Sequence, residues 1–383
     1  MTIRKHFLQI HRWIGIGLAA LLVVAGITGS LLAFLHEIDA LLNPGLHRTE
    51  PRAQRAALDD IAKMIEAKYP KLVVGYFLFT DDPASSIHVL MNTREAAAGG
   101  ELDRESPRPT EIFADPYTGR LMGERNWGEF GTSAAHIMPM IYRLHMNLFL
   151  DETGQWITAI AAAIWIVGML IGIFLAVPKP GLLRQAFTIK WQASRARVLF
   201  DMHRTIGLIS ALVLIVTAFT GFYMNLPTVV EPALAAVAPF TVRPASVRPP
   251  GTALDQVWKT GWDEAMKQAR AAHPLDPIAG IGRVEARGYY QVRFMPPGDI
   301  MDAGTIRVFV DGRDGRVLGK FDHRSGTVGD KIRIWQFPLH SGQGFGMPGR
   351  VLVCVIGLVP LLLAVTGIWL WLRRRRLRRD ALV

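Results

Sequence analysis

Cysteine is nearly absent: Cys354 is the single thiol in 383 residues. That excludes internal disulfides, iron–sulfur clusters and any cofactor attached through paired thioethers, since each needs two thiols or more. Carboxylates are missing where they would matter for a proton-coupled carrier. Four apolar runs, 13–35, 156–177, 205–226 and 351–372, contain no Asp or Glu. Each is close to the roughly 20 residues that cross a bilayer core of about 30 Å. No other stretch qualifies, because the two long segments between them are charged and broken by Pro and Gly. A dinucleotide fingerprint is lacking too, as Gly342, Gly344 and Gly346 do not sit between a strand and a helix.

Acidic residues are also scarce beside the apolar runs. Fifteen basic residues lie in the N-terminal tail (Arg4, Lys5, Arg12), the middle loop (from Lys179 to Arg204) and the C-terminal tail (from Arg373 to Arg379). Only Asp201 and Asp380 oppose them, a net +13, whereas the remainder has 28 cations and 30 anions, a net −2. Basic residues collect on the cytoplasmic side of spans. Both termini and the middle loop are therefore expected in the cytoplasm and the two long segments outside, in a multi-pass membrane protein. The arginines abut a span, which argues against nucleic-acid binding. The first run is too long for the core of a secretory signal.

What the chain does have is a repeat. His11-Arg12-Trp13-Ile14-Gly15 opens the first apolar run, and His203-Arg204-Thr205-Ile206-Gly207 opens the third, 192 positions later. Leu144-His145 precedes the second run and Leu339-His340 the fourth, 195 positions apart. Thr28-Gly29 matches Thr220-Gly221, and the stretch 115–123 matches 311–319. A histidine at a membrane boundary is costly unless something holds it. Four of them in a repeated plan point to His11 paired with His203 near the cytoplasm, His145 paired with His340 near the outer face, and two bis-histidine haem b groups as the holders. Arg12 and Arg204 are candidate partners for haem propionates, although positive-inside residues need no such partner. His36 has no counterpart in the second half and is a reserve ligand. The run from His11 to His36 would span about 37 Å of helix, placing those two at opposite faces. His136, Met138, Met140 and Met146 crowd His145 but read as packing rather than a copper site. His6, His47, His88, His273 and His323 read as surface residues. Gly15, Gly17, Gly26, Gly29, Gly168, Gly172 and Gly221 suit either a close porphyrin or bare helix packing.

Between the spans, 57–69 and 258–272 have helical periodicity, while 73–80, 86–91, 289–294 and 305–310 read as strands closed by Asp-Gly or Thr-Gly turns. The stretch 243–250 is proline-rich and reads as a linker. The expected fold is thus a membrane protein, a four-helix transmembrane bundle with two extracytoplasmic α+β domains and internal duplication. Its divisions are a first span (1–38), an outer domain (39–135), a histidine segment with the second span (136–178), a cytoplasmic loop (179–200), a third span (201–227), a second outer domain (228–335), and the last histidine segment, span and basic tail (336–383).

The modules ending in Ile112-Phe113-Ala114-Asp115-Pro116-Tyr117-Thr118-Gly119-Arg120 resemble PepSY domains. The histidine-bearing spans, with Gly154-Gln155-Trp156, Asp201-Met202-His203-Arg204 and Leu339-His340-Ser341-Gly342, resemble the PepSY-associated transmembrane family over nearly the whole chain. The resemblance is closest to its inner-membrane siderophore-iron reductases, of the FoxB type. It implies an oxidoreductase, located in a bacterial inner membrane, that passes electrons to a ferric siderophore and releases Fe(II); without a dinucleotide fingerprint of its own, the chain would take them from an external donor, a quinol or a cytoplasmic reductase. Tyr142, Arg143, Arg333, Trp335 and Gln343, near the outer histidines in sequence, are candidate substrate contacts or interfacial anchors. The alternatives are a non-catalytic membrane module that binds a peptide or protease, and a siderophore permease or release accessory.

Overall fold

The computed structural model describes residues 3–93, 110–177, 183–241 and 258–380. Lys179 and the 243–250 linker lie outside the described residues. The first half contains α1 (Ile3–Leu32), α2 (Leu35–Leu42), α3 (Pro44–His47), α4 (Leu58–Lys68), β1 (Leu72–Leu78), β2 (Ile87–Thr93), β3 (Thr110–Ala114), β4 (Leu121–Asn126), α5 (Ala134–Asn147) and α6 (Asp151–Ala176). After α7 (Leu183–Ala186) come α8 (Arg195–Asn225), α9 (Pro227–Ala235), α10 (Trp262–Ala272), β5 (Ile278–Val284), β6 (Tyr289–Phe294), β7 (Ile306–Asp311) and β8 (Val317–Phe321). The chain closes with α11 (Val328–Ser341), α12 (Gly346–Gly357) and α13 (Val359–Asp380). These elements form two compact units: helices from Met1–Phe34, Ile141–Val230 and Gln336–Val383, and a sheet unit from Leu35–Met140 and Glu231–Trp335.

In the helical unit, four segments are long and apolar enough to cross a membrane: α1, α6, α8 and the stretch Gln343–Leu377. The helices start earlier than the apolar windows, α1 at Ile3 and α8 at Arg195, because Arg, Lys and Gln propagate a helix well while hydropathy registers only its apolar centre. The fourth span breaks between α12 and α13, where Pro360 has no N–H to continue the ladder. Helix α1 packs on α6, α12 and α13, and α8 packs on α6 and α13, so α1 and α8 are diagonal in the bundle. At the α1–α12 crossing a Cβ on Gly26 would lie 2.2 Å from the Gly357 oxygen. The Ser30 hydroxyl reaches the Cys354 carbonyl there at 2.7 Å, a small-residue contact of the kind that membrane helices use.

The sheet unit departs from the expectation of two separate domains. All eight strands join one antiparallel sheet in the order β4-β3-β2-β1-β5-β6-β7-β8. Its seam pairs Tyr76 with Gly282, Phe77 with Ile281 and Leu78 with Gly280. A four-stranded half would expose β1 or β5 as an open edge, and pairing the halves removes both edges. The seam was hard to read because Ile-Ala-Gly-Ile-Gly-Arg-Val is a poor strand former. Its glycines admit the Tyr76 ring, which a Cβ on Gly282 would meet at 2.4 Å. Helices α4 and α10 share one core with the strands, in which Ile61, Ile65, Phe77, Trp262, Ile281 and Tyr290 are buried together. Their N-termini cap each other: Asp59 accepts from the Trp262 and Asp263 N–H groups, and Asp263 from those of Leu58 and Asp59. Such caps are each worth about 1 kcal/mol. Burial, with Asp59 alongside, pushes the Asp263 carboxyl up.

Candidate functional site

The helical unit brings its four boundary histidines together in two pairs. The His11 and His203 rings have centroids 6.3 Å apart, and those of His145 and His340 are 6.0 Å apart. His11 and His203 sit directly on the diagonal helices α1 and α8. His145 and His340 are carried in by the last turns of α5 and α11.

One receptor is built four times. Each imidazole lays its Cε1 edge on a glycine of a neighbouring helix: His11 on Gly172, His145 on Gly29, His203 on Gly367 and His340 on Gly221. A Cβ on any of these glycines would come within 2.9–3.2 Å of that Cε1. The Nδ1 atoms of His11 and His340 also bond the carbonyl four residues before their glycine, Gly168 and Thr217, both at 2.9 Å, and the carbonyls at the same offset, Ala25 and Leu363, stand beside the His145 and His203 rings. A carbonyl only accepts, so in His11 and His340 Nδ1 carries the proton and Nε2 keeps its lone pair. Thr28, Thr366 and Thr220 add a hydroxyl 2.9–3.0 Å from three of the Nδ1 atoms. Those hydroxyls give their own proton to a helix carbonyl at 2.7–2.8 Å and so face the imidazole as acceptors. Among the described residues no hydrogen bond joins the two rings of either pair.

This spacing suits a metal between the rings. With a metal–imidazole bond of about 2.0 Å and a ring radius of roughly 1.2 Å, one metal could reach two rings whose centroids are up to about 6.4 Å apart. Two nitrogens are only part of a ligand set, and among the described residues no group of three or more His, Cys, Asp or Glu side chains could hold a metal ion. A metal held there would have to bring its remaining donors with it, as haem does with four pyrrole nitrogens. Along α1, His11 lies 18 residues from Gly29, and His203 lies 18 residues from Gly221 along α8. At 1.5 Å per residue the two levels are about 27 Å apart, close to the thickness of a bilayer core.

The family profile of the PepSY-associated TM region matches residues 8–374. The chain belongs to that family. No curated protein matches it.

In this PepSY-associated transmembrane protein the other candidate residues lie as follows. Arg12 is half-buried on α1. Arg204 is turned to the loop instead of a ligand: it donates to the carbonyls of Gln185, Ala186 and Thr188 and pairs with Asp201. His36 is exposed on α2, in the sheet unit. Arg143 is buried and paired with Asp151, with the Phe149 ring beside it, and so braces the α5–α6 turn. Arg333 makes two bonds to Glu231, at 2.7 and 2.5 Å, with its guanidinium 3.8 Å from the Phe240 ring centroid. Neither arginine is set up as an open substrate contact. Tyr142 and Gln343 are half-buried, and Trp335 lines a cavity of about 330 Å³. Of the noted glycines, Gly29, Gly172 and Gly221 lie under histidines and Gly168 supplies an acceptor, whereas Gly15 and Gly17 face open space. Gly367 was missed, although Thr366-Gly367 repeats within an apolar run the dipeptide seen at 28–29 and 220–221.

Four histidines expected at the surface are not there. His47 and His323 are buried, and the His88 and His273 side chains are only 16% and 12% exposed. His47 and His88 belong to a closed polar ring in the first half of the sheet unit. The two imidazoles bond each other at 3.2 Å, and His47 donates to Asp39 at 3.0 Å. Arg125 grips both oxygens of Asp39 and one of Glu111, and Glu111 lies 3.5 Å from His88. Burial alone would raise both carboxyls, but the hydrogen bonds from the histidines and Arg125 hold Asp39 and Glu111 below the usual carboxylate range. Sequence spacing could not show this, because its members come from α2, α3, β2, β3 and β4.

Proposed function

We propose that this chain binds two haem b groups, one on His11 and His203 and one on His145 and His340, and conducts electrons across an inner membrane to ferric siderophores, releasing Fe(II). The observation that carries the reading is the fourfold receptor, which holds the four imidazoles in two pairs with centroids 6.3 and 6.0 Å apart and engages each ring at Nδ1. When bound, such haems supply one-electron centres at two depths. The residues hold each imidazole in one tautomer and orientation, and the bond from Nδ1–H to a carbonyl raises the basicity of Nε2. Arg12, adjacent to His11, is the remaining candidate for a propionate partner.

The charge partition supports cytoplasmic termini and an extracytoplasmic sheet unit, with the His11 pair on the donor side. Internal duplication is supported by the recurring receptor and by the reciprocal caps of α4 and α10. The siderophore follows from the resemblance and from chemistry: oxygen chelates grip hard Fe(III) more tightly than Fe(II), so one-electron reduction loosens the metal. A quinol or a cytoplasmic reductase is the donor class.

The test begins with haem content. Pyridine haemochrome assay of the purified chain should give two haems per protein with low-spin spectra. Zero ends the proposal, and one shows that a pair is misassigned. Dithionite-reduced protein mixed with a ferric hydroxamate should then reoxidise while Fe(II) appears in a chelator trap. Indifference to every ferric chelate would remove the siderophore but keep the electron-carrying pairs. A reporter fused after Gln192 should be active only in the cytoplasm.

A further inference from the structure

We infer that the sheet unit carries a binding site for a small aromatic carboxylate in the cavity beside the first turns of α11. The cavity is about 330 Å³, at the small end of the roughly 300–1,000 Å³ that ligand sites occupy. Its apolar walls come from Pro296, Pro297, Ile300 and the indole of Trp335, which suit a flat apolar body. Its polar groups suit an anionic head.

His323, which lines it, is 7% exposed, and its Nδ1 is buried with no hydrogen-bond partner. The nearest carboxylate oxygen, on Asp322, is 4.0 Å away. A buried, unpaired imidazole nitrogen costs free energy, and a ligand oxygen would relieve that cost. Burial pushes the His323 imidazole down, and Arg324 and Lys331 push the same way against Asp322 and Asp299. The ring is therefore neutral near pH 7 and can offer a single N–H.

Both nearby acids are already taken. Asp299 accepts from the Ile300 and Thr305 N–H groups and the Thr305 hydroxyl. Asp322 is gripped by Arg324 through Nε and Nη2. Lys331 is exposed and forms no ion pair among the described residues, so its ammonium is the charge left to meet an anion. The set occurs once. At the 195-residue spacing of the paired histidines, the positions matching Lys331 and Trp335 are His136 and Met140.

This inference stands apart from the haem reading, and its probe cannot be reduced. Equilibrium dialysis of labelled benzoate against the full chain in nanodiscs should show saturable binding at millimolar concentration or below. Neutral benzamide should bind at least about tenfold more weakly. Lys331→Gln, at an exposed position, should weaken benzoate about tenfold and Lys331→Arg should restore it, while Trp335→Ala should weaken both probes. Absence of saturable binding, equal affinity for benzoate and benzamide, or benzoate affinity unchanged in both Lys331→Gln and Trp335→Ala would overturn the site. Haem content plays no part in these outcomes.

Discussion

The two units treat paired histidines in opposite ways. In the sheet unit His47 and His88 have centroids 4.9 Å apart, bond each other directly and end on Asp39 and Glu111. In the helical unit the rings stand 6.0 and 6.3 Å apart, bond away from each other through Nδ1, and leave Nε2 uncommitted. A polar ring closed on itself stabilises a fold, because each buried group finds its partner within the protein. A half-buried pair engaged at one nitrogen and bare at the other keeps the second nitrogen available to a partner from outside the chain. Proximity of histidines alone does not separate the two cases; the direction of their hydrogen bonds does.

The largest expected effect breaks the comparison outright. His145→Ala or His340→Ala should lower haem content from two per chain to one, removing the same spectral component, whereas His47→Ala should leave both haems. Equal loss from all three would erase the distinction between ligand-ready and self-satisfied pairs.

Next is Arg125→Met, which strands Asp39 and Glu111. Removing one partner of a buried ion pair costs about 3–5 kcal/mol, and should appear as a lower melting temperature with unchanged haem stoichiometry. The pH dependence sharpens this. Both carboxyls titrate below their unfolded values in the wild type, so their contribution is present above about pH 4.5 and is lost as pH falls through the folded values. In the variant the stranded carboxyls favour the protonated form, so acidification should cost the variant less than the wild type. Parallel stability curves from pH 7 to pH 3 would show that Arg125 does not hold them.

Smaller effects probe the receptor. Gly29→Ala or Gly221→Ala places a Cβ 3.0 or 3.1 Å from Cε1 of His145 or His340. Overpacking of this kind costs about 1–3 kcal/mol, so haem of that pair should be lost about tenfold faster to a haem scavenger, while Gly15→Ala should change nothing. Thr366→Val should act least, since the ring keeps its place on Gly367 with the Leu363 carbonyl beside it. Its effect on haem release should stay within a factor of about ten, with a small spectral shift confined to the His11 pair.

Much of this was legible in the chain. Helices over 57–69 and 258–272 and strands near 73–80 and 289–294 follow local periodicity, and the structure has α4, α10, β1 and β6 there. The β1–β5 seam was not legible, because Gly280 and Gly282 make sense only beneath Tyr76. Arg143 and Arg333 looked available because Asp151 and Glu231 gain meaning as partners only after the chain turns. His47 and His88 looked exposed because 41 residues separate them, and sequence does not show which faces converge.

By itself the sequence determined the four apolar spans and the positions of His11 and His203 at the start of two of them, since helical rise converts residue count directly into depth. Only the tertiary structure decided that a carbonyl and a glycine one turn apart receive each ring, and that Nδ1 rather than Nε2 takes the hydrogen bond. It alone also joined the two halves into one sheet. Depth is a property of one helix, whereas tautomer, ring contact and strand pairing are set by groups that different segments bring to the same place.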